Sequence, residues 1–236
     1  MPDLTRRATE NERMDDLQSS GEDLYQALRE LDTINYLLGG NKVTLAGLDQ
    51  LMERLPAPEE LHIADLGCGS GDMLKRIRRR MDKRKRHARL TGIDANPSVI
   101  AYAESHTSEG YRISYEPLNI FSPEFGLRKF DIITASLFFH HFTSEELTEF
   151  FRQLKNQLRI GFVINDIHRH WFSYHSIKLL TGFFSRSQMV KNDAPLSVLR
   201  AFKKNELSEI LERAGILHYS IKWRWAFRWQ VVARIL

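Results

Sequence analysis

Apolar residues fall into two alternating periodicities along most of this chain. Leu24, Leu28, Leu31, Ile34, Leu37 and Leu38 recur at steps of three and four, which predicts an amphipathic helix over residues 23–38, closed by Gly39-Gly40. A second helix is expected over about 42–55, ended by Pro56-Ala57-Pro58. Short apolar runs bounded by turn residues then alternate with helical patterns. Residues 61–64, 90–94, 111–115, 130–136 and 159–166 read as strands. Helices are expected from Met73 to about Arg80, from Asn96-Pro97-Ser98 with Val99, Ile100 and Ala103 inward, and from Thr143-Ser144-Glu145-Glu146 with Leu147, Phe150, Phe151 and Leu154 inward. Residues 205–215 form a last helix with its glycine stop, and 216–225 with 226–236 read as a hairpin of two edge strands.

Strands alternating with helices imply an α/β fold with a mostly parallel sheet and right-handed crossovers. Three boundaries follow. Residues 1–22 are polar and highly charged and are expected to form a mobile arm or a loosely docked helix. Residues 23–58 form a helical cap, and 59–236 the main domain, interrupted by a segment at about 167–204 too long for a simple connection. That segment is read as an insertion of one or two helices. No internal repeat or low-complexity tract is evident.

Composition adds limits rather than identity. At 236 residues, with 42% hydrophobic and 27% charged content, the chain can bury one sizeable core. No apolar run approaches the roughly 20 residues of a membrane span, and the first residues lack a signal-peptide core, so a cytoplasmic location is expected. The one cysteine, Cys68, excludes an internal disulfide and suits a reducing compartment. Charge is unevenly placed. The window 75–89 holds ten Lys or Arg and Asp82, a net +9, so the formal +4 of the chain leaves −5 elsewhere. Such a run is either a footprint for phosphate or the solvated face of an outer helix. No aromatics interleave with it, which favours the second reading.

The chemistry centres on Asp65-Leu66-Gly67-Cys68-Gly69-Ser70-Gly71-Asp72, where a strand turns into a helix. Glycines at alternate positions let the backbone approach a ligand closely, and the following helix offers free N–H groups. A Gly-x-Gly-x-Gly turn alone is compatible with a nicotinamide dinucleotide, a flavin or S-adenosylmethionine. Asp94 ends the second strand, where a carboxylate can accept hydrogen bonds from both hydroxyls of a ribose. The acidic Asp65, the absent Gly-x-Gly-x-x-Gly spacing and the terminal hairpin separate the pattern from dinucleotide-binding dehydrogenases.

Ala64–Gly71 in the order Ala-Asp-Leu-Gly-Cys-Gly-Ser-Gly, Gly92-Ile93-Asp94-Ala95-Asn96 and Phe130-Asp131-Ile132-Ile133-Thr134-Ala135 together resemble class I S-adenosylmethionine-dependent methyltransferases, over about residues 55–236. The resemblance implies a Rossmann-like sheet of seven strands whose last two form the antiparallel hairpin. It also implies that Gly67, Gly69 and Gly71 approach the methionine moiety, Asp65 helps hold its amino group, and Asp94 binds the ribose. Ala95 and Asn96 would flank the adenine, with Cys68, Asn119, Ile120 and Ser136 completing the cofactor site. The family often has an acidic residue where Asn119 stands; its amide can still pair with adenine, or cap its own turn.

The end of the fourth strand separates substrate branches. Ser136-Leu137-Phe138-Phe139-His140-His141-Phe142 is not the Asn-Pro-Pro-Tyr or Asp-Pro-Pro-Tyr of adenine amino methyltransferases. Cytosine C5 chemistry needs a nucleophilic cysteine, and the paired glutamates of an arginine methyltransferase loop are absent. The histidine pair is similar to the small-molecule branch, including quinone-biosynthesis and polyketide-tailoring enzymes. His140 or His141 could take a proton from a hydroxyl acceptor. Asp166 could orient a histidine, and His168 could be a second base. His168 and His170 also admit a metal reading, but no third ligand is fixed, and no metal is expected. Tyr25, Asn35 and Tyr36 from the cap, with Trp171 and Tyr174 from the aromatic insertion, are the expected substrate pocket.

The expected activity is therefore methyl transfer from S-adenosylmethionine to a small aromatic or apolar molecule bearing a hydroxyl, with O-methylation favoured over C-methylation. The alternatives are an RNA methyltransferase using residues 75–89 and a non-catalytic cofactor-binding subunit. Nucleic acid is an unfavoured partner, and the sequence is silent on oligomeric state.

Overall fold

In the computed structural model, which describes residues 2–53 and 60–235, parallel strands carry the site on their carboxyl ends. The chain enters through α1 (Glu22–Leu37) and α2 (Gly40–Met52), then follows β1 (Leu61–Leu66), α3 (Asp72–Lys83), β2 (Ala88–Asp94), α4 (Pro97–Ser105) and β3 (Ile113–Pro117). A single turn, α5 (Pro123–Gly126), leads to β4 (Phe130–Ser136), α6 (Ser144–Leu154) and β5 (Leu158–Ile167). Two consecutive helices follow, α7 (Trp171–Phe184) and α8 (Gln188–Arg200), then α9 (Lys204–Arg213), β6 (Tyr219–Arg224) and β7 (Arg228–Arg234).

Among the described residues the sheet has seven strands, in the order β3-β2-β1-β4-β5-β7-β6. The first five strands run parallel, and β7 lies antiparallel to both β5 and β6. The hairpin is thus as expected, except that only β6 is an edge. β7 is inserted between β5 and β6, and its near-continuous burial, Arg228 to Ala233, reflects cover on both faces.

Side-chain alternation along the strands splits the core into two layers. Leu61, Ile63, Ile132 and Val163 face α2, α3 and α4, meeting Leu48, Leu51, Leu74, Ile77, Met81 and Ile100. Leu66, Ile133, Ala135 and Phe162 face α6 and α9, against Phe150, Phe151, Leu154, Leu207 and Ile210. The local signals act as expected here. Asn96 caps α4 by accepting from Ser98 N, with Pro97 at the first helical position, and Thr143 and Glu146 form a capping box on α6.

Three expectations need correction. First, the residue 23–58 cap divides. α2 belongs to the main core: a Cβ on Gly47 would lie 2.5 Å from Val163, so the glycine lets the helix axis close onto the sheet. Only α1 caps, packing its Ala27, Leu31 and Ile34 against Val190 and Ala194 of α8. Gly40, expected as part of the helix stop, opens α2; Gly39 alone, at φ +73°, makes the break. The expected helix end at Leu55 and the boundary at Pro56–Pro58 lie outside the described residues.

Second, the described part of the segment expected as a mobile arm or a loosely docked helix is packed over the carboxyl edge of the sheet, with only a 3-10 turn, Arg13–Asp15, as regular structure before α1. The Arg7 guanidinium donates to the carbonyls of Arg200, His140 and Phe142, and Ala8 N donates to Leu199 O. Third, β3 begins at Ile113, not Tyr111, because Glu109–Tyr111 form a 3-10 turn and Arg112 takes φ +50°.

The basic run sits on α3 and the loop after it, and much of its charge is already engaged. Arg76 pairs with Asp72, Arg80 and Arg84 with Asp49, and Arg78 donates to the carbonyls of Tyr111, Ala88 and Arg112. No helix among the described residues is long and apolar enough to cross a membrane.

Candidate functional site

A cavity of about 690 Å³ opens where β1, β2 and β4 end, roofed by α1, α7, α8 and the N-terminal segment. Its floor is the β1–α3 turn. The three glycines there do different things. Gly69, at φ +52°, has open space where a Cβ would stand, with Leu28 the nearest atom at 3.7 Å. Gly71, at φ +74°, instead packs under Tyr115, whose Oη would lie 2.1 Å from an added Cβ. It caps α3 and is absent from the cavity wall, which corrects its expected place among the ligand contacts.

Asp94 closes the same floor. Its carboxylate accepts from Gly69 N and Asn96 N, at 3.4 and 3.0 Å, so strand end and glycine turn are held together. Burial raises its pKa against these two bonds. Asp65 is pushed up to about 7 by burial, its one opposing bond coming from the Thr134 hydroxyl at 2.6 Å. Cys68, Ala95, Ile120 and Ser136 also line the cavity, and burial pushes the Cys68 thiol well up. Asn119 lines it too, while its Oδ1 accepts from Phe121 N. Asn96 is in the wall, but its Oδ1 is committed to the α4 cap and its Nδ2 to the carbonyl of Ser19.

The opposite wall is built by the turn after β4. Leu137 takes φ +56°, a conformation that costs a non-glycine residue about 1 kcal/mol or more, and its N–H is tied to Asn165 O at 2.8 Å. This sharp exit places Phe138 over Gly67 and sends His140 and His141 into the cavity. His140 Nδ1 lies 2.7 Å from Asp166 Oδ1, and Asp166 Oδ2 accepts from His140 N. Burial would raise the Asp166 pKa, but the His140 imidazole holds it below the usual carboxylate range. With Nδ1 facing Asp166, His140 Nε2 points toward Glu12 Oε1, 3.6 Å away.

Glu12 comes from the N-terminal segment and was not foreseen. It is buried, its Oε2 accepts from Ser197 Oγ at 2.7 Å, and its Oε1 has no hydrogen-bond partner among the described residues. Burial pushes its pKa up to about 7, against the pull of His141, Ser197 and Arg200. Asp15 bonds to His141 Nδ1 at 2.5 Å and pairs with Arg200; those bonds outweigh its burial and lower its pKa. Glu12, His140 and His141 each bring one ligand-type atom within 4.8 Å of the others, so a divalent cation could be held there. The Arg200 guanidinium, 3.7 Å from Glu12 Oε1, competes for the same charge.

His168 does not join this group. It is half-buried outside the cavity, against Trp229 and His170, and burial with the nearby His170 and Arg169 pushes its pKa down to about 4. His170 caps α7, accepting from Phe172 N. Of the five expected pocket residues, Asn35 lines the cavity and four do not. Tyr25 stacks on Tyr102, Tyr36 is exposed with Arg76 over its ring, Trp171 is exposed, and Lys178 lies over the Tyr174 ring. The α1 face that lines the cavity is Leu28, Leu31, Asp32 and Asn35, and the α7 face is Phe172, Ser173, Ser176, Ile177 and Leu180. Asp32 receives the Ser70 hydroxyl at 2.5 Å, and burial pushes its pKa up to about 6. Arg228, buried and donating weakly to Asn165 at 3.5 Å, lines one end, its pKa pushed down to about 10 by burial.

A family model described as a methyltransferase domain matches residues 63–161. Trans-aconitate 2-methyltransferase of Escherichia coli O6:K15:H31 (strain 536 / UPEC) is 43% identical over 56 residues, 24% of this chain and 21% of that protein. The chain thus spans about a fifth of the length of that relative. The ubiquinone biosynthesis O-methyltransferase of Methylobacterium sp. (strain 4-46) is 25% identical over 175 residues, 70% of this chain and 67% of that protein. Among solved structures, the plantazolicin methyltransferase BpumL, in complex with a triazolic desmethylPZN analog and SAH, superposes with a TM-score of 0.61. It shares 21% identity over 85% of this chain and 73% of its own.

Proposed function

With a methyltransferase-domain match over residues 63–161, we propose that this chain is a class I S-adenosylmethionine-dependent methyltransferase and that it methylates a hydroxyl of a small aromatic or apolar molecule. The cavity fits the cofactor. Its floor joins a turn with no side chain at Gly69 to a buried carboxylate, Asp94, tied to that same turn. Asp94 is placed to accept from the ribose hydroxyls, and Asp65 and Asp32 stand where a methionine amino group would pass the turn. Ala95, Asn119 and Ile120 would meet the adenine. When bound, S-adenosylmethionine supplies a methyl group already activated on its sulfonium.

What remains for the protein is to position the acceptor, exclude water and remove one proton. The single observation that carries the proposal is the buried His140–Asp166 pair, with His140 on the wall facing the glycine turn and Asp166 behind it. Asp166 fixes the imidazole with Nδ1 protonated, leaving Nε2 free to accept the acceptor's proton on the cavity side. Glu12, close to Nε2 and raised to about 7, is placed to take the proton onward. The apolar side chains of Leu28, Leu31, Ile177 and Leu180 favour an apolar acceptor body, and buried Arg228 favours an electron-rich oxygen at one end.

The test is methyl transfer from labelled S-adenosylmethionine to a panel of phenols, quinols, hydroxy-polyketides and an RNA extract, followed across pH for the wild type, His140→Ala and His141→Ala. The proposal expects a phenolic or hydroxyl acceptor and a loss of the neutral-pH limb in His140→Ala. Label transferred to RNA, or an unchanged pH profile in both variants, would refute it.

A further inference from the structure

α7 is inside out for a helix of a water-exposed domain. Its fully buried residues are Ser173 and Thr181, while Trp171, Phe172, Leu179, Phe183 and Phe184 are 58%, 51%, 62%, 76% and 81% exposed. The spacing puts Trp171, Phe172, His175, Leu179 and Phe183 on one side, with Lys178 beside them. The β6–β7 hairpin extends the same surface. The Phe172 and Phe227 rings lie 5.6 Å apart, and Phe227 meets Trp223 edge-on at 6.0 Å. Trp225 follows, 73% exposed.

An apolar patch of this kind marks an interaction site, and its charge says with what. There is no Asp or Glu from Ile167 to Asn192, and none from Arg213 to the C-terminus, whereas Lys178, Arg186, Lys191, Lys222 and Arg224 are spread through those two segments. Lys178 on α7 and Arg186 just beyond its end are exposed. The Glu30 carboxylate of α1 meets the end of α7 but is taken up by Ser185 Oγ and by the N–H groups of Arg186 and Ser187. Tryptophan and phenylalanine on one face with lysine and arginine at its margin is the composition that seats a helix in the headgroup region of a bilayer. We propose that α7 and the tip of the β6–β7 hairpin dock this protein peripherally on an anionic lipid bilayer. Two residues tie that face to the cavity: Phe172 and Trp225 are exposed on the face and also line the cavity wall. A docked bilayer would therefore lie against the entrance that Phe172 and Trp225 frame. Docking itself does not depend on the acceptor or on the catalytic role of His140.

The experiment is cosedimentation of the full chain with vesicles of phosphatidylcholine alone and of phosphatidylcholine with phosphatidylglycerol, at low and high salt. The variants are Phe183→Ser/Phe184→Ser and Lys178→Glu/Arg186→Glu, whose positions lie off the cavity wall. Binding to the anionic vesicles, weakened by salt and roughly tenfold weaker in either double variant, is expected from the loss of inserted rings or of margin charge. Retained S-adenosylmethionine binding and thermal unfolding in the variants would show that they are folded. Equal binding to both vesicle types, no binding to either, or a dimer in sedimentation velocity that Phe183→Ser/Phe184→Ser dissociates would each overturn the proposal, the last by showing a second copy on this face.

Discussion

His140 Nδ1 and Asp166 Oδ1 lie 2.7 Å apart at the wall of the cavity, both side chains almost fully buried. They come from different strand ends: His140 from the turn after β4, Asp166 from near the end of β5. Neighbouring parallel strands with Ser136 and Asn165 in register bring them together. One carboxylate thereby stands bonded behind an imidazole that lines the cavity.

Asp166→Asn is the sharper test of that pair than removal of the histidine. An amide can present N–H to Nδ1 and so favour the opposite tautomer, in which Nε2 no longer accepts a proton. The expected result is a fall in kcat of about 10²–10⁴-fold, the usual worth of a positioned base. The KM for S-adenosylmethionine should stay near wild type, since Asp166 stands behind His140 and does not itself line the cavity. Equal losses in kcat and in cofactor affinity would mean that the carboxylate only supports the fold.

Gly69→Ala and Gly71→Ala should separate ligand contact from packing. At Gly69 an added Cβ meets nothing closer than 3.7 Å, so the fold loses only the cost of a positive φ, about 1 kcal/mol. The methyl group would stand in the cofactor cradle, and the expected change is a raised cofactor Kd with a small drop in Tm. At Gly71 the Cβ would collide with Tyr115, and the Tm should fall much further. Calorimetric titration and thermal unfolding on the two variants read this out.

How much was legible depends on distance along the chain. Local signals gave the strands and helices, and the pair Gly69 and Asp94 was readable because strand, turn and next strand end belong to one repeating unit. Asp166 was readable as a group that could orient a histidine, but not which one: His168, two residues on, is turned out against Trp229, while His140, 26 residues back, is the partner. The α1 pattern gave the helix, but Tyr25 and Tyr36 sit on faces where Tyr102 and Arg76 engage them, and the cavity takes the Leu28–Asp32–Asn35 side. Glu12 carried no signal. A polar segment with few apolar residues gives no period to read. Its burial rests on Arg7 reaching Arg200, 193 residues away, and on Glu12 reaching Ser197, 185 residues away, with Arg200 beside it; only the closed fold creates such pairs.

Glu12 should also be visible as pH-dependent stability. Its folded pKa, about 7, stands above the unfolded value of 4.5, so the folded state holds the proton more tightly. Stability therefore rises as pH falls from about 7 toward 4.5, and ionisation above 7 costs the fold on the order of 3 kcal/mol. Asp65 and Asp32 shift in the same direction and add to the slope. Glu12→Gln should flatten part of it and raise the Tm at pH 8 more than at pH 5. Parallel Tm curves for the two proteins between pH 5 and 8 would show that Glu12 does not titrate there.

Arg7 is where the N-terminal segment is fastened. Its guanidinium donates to three carbonyls, of Arg200, His140 and Phe142, and lies 4.3 Å over the Phe202 ring. Burial pushes its pKa down to about 10, so it stays charged through the neutral range. Arg7→Ala leaves those carbonyls to water or to nothing, which destabilises the fold by about 1–3 kcal/mol. Because the segment carries Glu12, Met14 and Asp15 into the cavity wall, the substitution should loosen the roof over the acceptor before it disturbs the floor. The expected result is a raised acceptor KM and faster tryptic cleavage after Arg13, with S-adenosylmethionine affinity little changed. Cleavage at the wild-type rate, with both affinities unchanged, would mean that the segment is held by Glu12 and Asp15 alone.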